Sequence, residues 1–131
     1  MSFTRFAVYF LPPDGALADF GAAWLGWEVR SGQPATQLAV PGLEDVTAKP
    51  RKYGFHGTLK PPFRLAAGAD VDGLRDAVAG MAAGCAPVQS DGLALSRLGR
   101  FLALTPSGDT TGIARVAGTC VEALDHFRAP A

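Results

Sequence analysis

The chain has little with which to build a metal site or a disulfide scaffold. Its 131 residues hold two cysteines, Cys85 and Cys120, and two histidines, His56 and His126. The cysteines stand too far apart for a C-x-x-C pair, which excludes the common zinc and thioredoxin-like patterns. They are expected as buried free thiols of a reducing compartment. Net charge is absent too: 12 Lys+Arg balance 12 Asp+Glu, which excludes a globally basic nucleic-acid binder. No apolar run approaches the roughly 18 residues of a membrane-spanning helix, so no membrane partner is expected. Residues 1–11 run into Pro12-Pro13-Asp14-Gly15, a turn signal, and fit a strand better than a leader peptide. The expected location is the cytoplasm. There is no G-x-G-x-x-G after a strand, no G-x-x-x-x-G-K-[ST] and no H-E-x-x-H. No metal and no cofactor is expected.

What remains is enough to fold. Hydrophobic residues make up 48% and charged residues 18%, the balance of a packed domain rather than a disordered chain. Residues 6–11, FAVYFL, are aromatic and β-branched and predict a strand. Asp14 is placed to cap a helix in which Leu17, Phe20, Trp24 and Leu25 recur at helical spacing and should be buried. Residues 26–45 read as an irregular connection. Residues 53–59 predict a strand that Pro61 and Pro62 should end. Asp70 caps a predicted helix over 70–84, with Val71, Leu74, Val78 and Met81 on one stripe. Residues 88–98 and 101–105 form a predicted hairpin around Gly99-Arg100. A last helix starts at Thr110 or Thr111 and carries Ile113, Val116, Cys120, Leu124 and Phe127 inward. The order β-α-β-α-β-β-α implies an α+β fold, a mixed α/β sandwich, in a single domain over 1–131.

One segment departs from the neutral background. Residues 49–64, KPRKYGFHGTLKPPFR, hold Lys49, Arg51, Lys52, Lys60 and Arg64 and no acidic residue. Within it stands His56-Gly57-Thr58. A period of two puts the imidazole and the hydroxyl on one strand face. The imidazole can carry a proton near neutral pH, and the hydroxyl can donate to a phosphoryl oxygen. Lys60, Arg51, Lys52 and Arg64, with Tyr53 beside them, are the candidate phosphate- or substrate-binding groups. The same basic and aromatic residues could instead serve a non-catalytic nucleotide- or RNA-binding module.

The string YGFHGTLKPPFRL at residues 53–65 resembles the first H-x-T-L motif of the two-histidine phosphoesterase superfamily, which includes the RNA-ligase-like cyclic phosphodiesterases. More narrowly, RFAVYF at 5–10, AAWLG at 22–26 and HGTLKPPF at 56–63 resemble a bacterial family found beside phosphonate-utilisation genes, domain of unknown function 1045. The resemblance implies a two-lobed fold with one H-x-T/S motif from each half. One histidine of such a pair serves as general base and the other as general acid, while the hydroxyls hold phosphate oxygens. It implies a hydrolase of a small phosphorylated or cyclic-phosphate substrate, a nucleotide or an RNA end among them. Carried onto this chain, His56 and Thr58 are the catalytic pair. The second motif has no match: His126 is followed two positions on by Arg128, not Ser or Thr, and lies in a helical pattern. The resemblance therefore implies the N-terminal portion of a longer two-lobed protein, with the first lobe and part of the second, and one proton carrier of two.

Overall fold

The computed structural model describes residues 3–131. It is a mixed α+β protein with four α-helices and three two-stranded sheets among those residues. Two compact units are distinguished, Met1–Val8 with Leu59–Ala131, and Tyr9–Thr58. The chain passes between them inside strands β1 (Phe6–Phe10) and β4 (Gly57–Phe63), which pair with each other.

The unit over 9–58 is built on helix α1 (Ala16–Leu25). Gly26 ends α1 in the left-handed region, at φ 74°, with its N–H returned to the Ala22 carbonyl, the usual work of a glycine just past a helix. Strands β2 (Trp27–Glu28) and β3 (Gln33–Pro34) pair antiparallel, and the short helix α2 (Leu43–Val46) follows. Leu25, Leu43 and Thr47 are buried. Two expectations fail in α1. Gly15, not Asp14, occupies the cap position, and no side chain caps the helix; Asp14 stands one residue too early. Leu17, Phe20 and Trp24 stay 39%, 45% and 38% exposed, and only Leu25 of the four goes inward. The face that is covered carries Gly21, whose hydrogen lies against the Phe55 ring. Phe20 and Trp24 stack on each other at 5.8 Å instead.

The other unit is centred on Val8, Cys120 and Leu124, with Leu59, Ala77, Val78, Met81 and Phe127 packed around them. Helix α3 (Val71–Gly84) starts at Asp70, whose carboxylate accepts from the Gly73 N–H at 2.7 Å, as the sequence predicts. Helix α4 (Thr111–Ala123) packs on α3 and carries Cys120 inward. Of the two thiols, Cys120 is fully buried and Cys85 only half-buried; both are free. Strands β5 (Leu93–Leu98) and β6 (Phe101–Pro106) form the expected hairpin, with Leu98 opposite Phe101 and Gly99 at φ 64°. Glycine at the first central position suits the tight II′ turn. The first strand of this hairpin begins at Leu93 rather than residue 88, because Ser90 and Gly92 turn the chain there.

The segment around His56 is also recut. Residues 51–53 form a single 3₁₀ turn, and β4 begins only at Gly57 and runs on through both prolines to Phe63. Proline removes one ladder donor, which a strand with one partner tolerates at its open edge; β4 has only β1 beside it among the described residues.

Candidate active site

His56 lies at the mouth of β4, one residue before the strand, and Thr58 lies within it. The expected pairing holds although the strand starts later: His56 Nε2 and Thr58 Oγ1 are 3.2 Å apart. On the other side of the ring, Nδ1 lies 2.9 Å from the Gly54 carbonyl oxygen. A carbonyl only accepts, so Nδ1 carries the proton of the neutral ring. Nε2 is then a bare lone pair, and the Thr58 hydroxyl donates to it. In that neutral form the imidazole can accept a proton at Nε2, and it is held by two hydrogen bonds of opposite sense.

Gly54 makes this possible. Its φ of 76° and ψ of 176° fall where essentially only glycine goes. The Val29 side chain fills the space a Cβ would need. The chain turns back there, and the Gly54 carbonyl meets a ring two residues later. Gly57 leaves room on the opposite side of the strand start, where a Cβ would come no closer than 3.9 Å to Phe10. Tyr9 of β1 lies flat on the His56 ring, with centroids 3.6 Å apart and planes within 16°. Nothing in the spacing of H-G-T pointed to Tyr9; its aromatic run in β1 reads equally well as core.

The basic groups are held in different ways. Arg51 is spent on the backbone: Nε donates to the Leu25 carbonyl at 2.9 Å, and Nη2 to the Glu44 carbonyl and the Thr47 hydroxyl. The two carbonyls stand at the ends of α1 and α2, where helices leave such groups unsatisfied. Lys60 is 3% exposed, with Nζ donating to the Val121 carbonyl at 3.3 Å and lying 5.1 Å from the Phe63 ring centre. Its place in the basic segment suggested a site role, but its ammonium is enclosed beside α4. Lys52, Tyr53 and Arg64 are exposed, and the Lys52 ammonium sits over the Tyr53 ring at 5.7 Å. His126 falls in a 3₁₀ turn, Asp125–Phe127, with its ring 4.4 Å from that of Phe127. Among the described residues no group of three or more His, Cys, Asp or Glu side chains is placed to hold a metal, and no helix is long and apolar enough to cross a membrane.

A family model described as protein of unknown function (DUF1045) matches residues 58–131, more than half of the chain. The chain belongs to the DUF1045 family. The match starts at Thr58, so His56 stands just ahead of it. This DUF1045 chain is also 38% identical over 135 residues to a ribose 1,5-bisphosphate phosphokinase PhnN of Janthinobacterium sp. (strain Marseille), covering 98% of the chain and 30% of that protein. It is 33% identical over 133 residues to a protein of the same name from Laribacter hongkongensis (strain HLHK9), covering 97% of the chain and 32% of that protein. The chain thus spans less than a third of the length of these curated relatives. No solved structure matches.

Proposed function

We propose that this chain carries one proton-transfer half-site of a phosphoesterase that hydrolyses a cyclic or ester-linked phosphate in phosphonate metabolism. The observation that carries the proposal is the His56 ring held between the Gly54 carbonyl and the Thr58 hydroxyl. His56 acts as general base: Nε2 takes a proton from the attacking water or hydroxyl. Thr58 then turns its hydroxyl to a phosphate oxygen, and exposed Lys52 adds positive field. The fold in this proposal is the first lobe of the two-histidine phosphoesterase architecture. The opposite proton carrier comes from polypeptide or a partner beyond these residues.

The relatives' name points to phosphorylated ribose as the substrate class. A phosphokinase needs a cradle for a nucleotide's phosphates, and this chain has no G-x-x-x-x-G-K-[ST]. We therefore assign any kinase step of those relatives to the two-thirds of their length outside the match, with the present residues acting on an allied phosphorylated sugar.

Turnover of a 2′,3′-cyclic nucleotide and of a cyclic ribose phosphate tests this. His56→Ala should lower the rate by about 10²–10⁴, the range for a lost general base, and Thr58→Val should lower it as well. Hydrolysis that is indifferent to His56→Ala overturns the assignment. The alternative is a non-catalytic nucleotide- or RNA-binding module, favoured by the 54% exposure of Tyr53 under the Lys52 ammonium. Binding without turnover, lost in Tyr53→Ala and kept in His56→Ala, would support that module instead.

A further inference from the structure

Two hydrogen bonds define which nitrogen of His56 faces Thr58, but neither alone holds the plane of the ring. The Thr58 hydroxyl rotates freely about its own bond, and a carbonyl accepts over a broad range of directions. A ring tilted well out of its present plane would keep one bond and lose the other. The face-to-face Tyr9 ring, 3.6 Å away and within 16° of parallel, removes those tilted orientations. A half-turn of the imidazole would preserve the stack, and it is the hydrogen bonds to Gly54 and Thr58 that oppose it. Plane and sense are thus fixed by different partners. We infer that Tyr9 is a positioning residue for His56: its ring, not its hydroxyl, holds the imidazole in the plane where Nδ1 meets Gly54 and Nε2 meets Thr58. The inference deepens the phosphoesterase proposal by naming what keeps the base aimed.

The three residues that meet the ring come from three places in the sequence. Tyr9 comes from β1, Gly54 from the turn before β4, and Thr58 from β4 itself. Strand alternation explains the choice of Tyr9. Its neighbour Phe10 points to the Gly57 side, so adjacent aromatics of β1 serve opposite faces.

The test is nitrogen-15 and proton NMR of the imidazoles in the intact chain, which needs no substrate and stands whether or not any phosphate is hydrolysed. With two histidines in the sequence, the spectrum of His126→Gln assigns the signals of His56. In the unmodified protein the His56 ring protons should be displaced by the stacked Tyr9 ring, with contacts between the two rings and a single Nδ1–H tautomer. Tyr9→Leu should remove the displacement and mix the tautomers. Tyr9→Phe should restore both. Unshifted His56 ring protons in the unmodified protein overturn the inference without any variant. So does a folded Tyr9→Leu that keeps the single tautomer, or a Tyr9→Phe that fails as Tyr9→Leu does, which would hand the role to the hydroxyl.

Discussion

The His56 imidazole depends on a backbone atom that only glycine can place. Alanine at position 54 would have to leave its φ of 76° or meet the Val29 side chain. Backbone strain of this kind costs about 1–3 kcal/mol, and overpacking adds about 1–3 kcal/mol. Gly54→Ala should therefore destabilise the protein by about 2 kcal/mol or more, read by urea unfolding, and should also lose the Nδ1–H preference of His56. A second prediction at this scale concerns Cys120. Burial pushes its thiol up, against the opposing pull of the Lys60 charge. The folded state thus holds the proton after the unfolded chain has released it. The stability this gives is fully present below the ordinary thiol range and is lost as pH rises toward the folded value. The unfolding midpoint should fall above the ordinary thiol range, and less steeply in Cys120→Ala. At neutral pH, alkylation should reach Cys85 first and Cys120 only on unfolding. Equal alkylation rates in the folded protein would contradict this.

At the scale of elements, α1 shows a contest between propensity and packing. Alanine is better than glycine inside a helix by about 0.8–1 kcal/mol. At position 21, however, a Cβ would overlap the Phe55 side chain, and overpacking costs about 1–3 kcal/mol. Packing should win. Gly21→Ala is expected to lower stability by about 1 kcal/mol in thermal unfolding, and a stabilised variant would mean that Phe55 moves aside freely. The helix over 71–84 was legible in the sequence because the Asp70 cap and a regular stripe agree there, and the helix over 111–123 because of its apolar stripe. The hairpin was legible because Gly99 sits where its turn demands it. The start of β4 was not. Tyr53 and Phe55 look like strand residues, yet Gly54 between them breaks the extended run, and the 3₁₀ turn takes Arg51 to Tyr53. The direction of α1 was misread for a related cause. The helix is apolar nearly all round, so periodicity alone does not choose the buried face, and the small side at Gly21 is the one that closes on Phe55.

At the scale of the whole molecule, the hairpin carries a run of exposed apolar side chains among the described residues. Leu95 and Leu102 are 72% and 61% exposed, with Leu93, Leu98 and Phe101 also open. Leu95 faces Leu104, and Leu102 faces Arg97, across the same side of the ribbon. Open strand edges and leucine patches promote association. Leu95→Lys with Leu102→Lys should raise the concentration at which the chain self-associates in sedimentation, with little change in the unfolding midpoint. A large loss of stability would show that these side chains are packed in solution. The sequence by itself determined the α+β class, the long helices, the hairpin and the single H-x-T motif, because each is written in local spacing, caps and turn residues. Only the tertiary structure decided that Arg51 and Lys60 spend their donors on carbonyls, that the Gly54 oxygen and the Tyr9 ring meet His56, and that α1 buries its small face. These depend on which distant segments come together, and a charge or an aromatic ring reads the same in sequence whether it meets solvent, a backbone carbonyl or an imidazole.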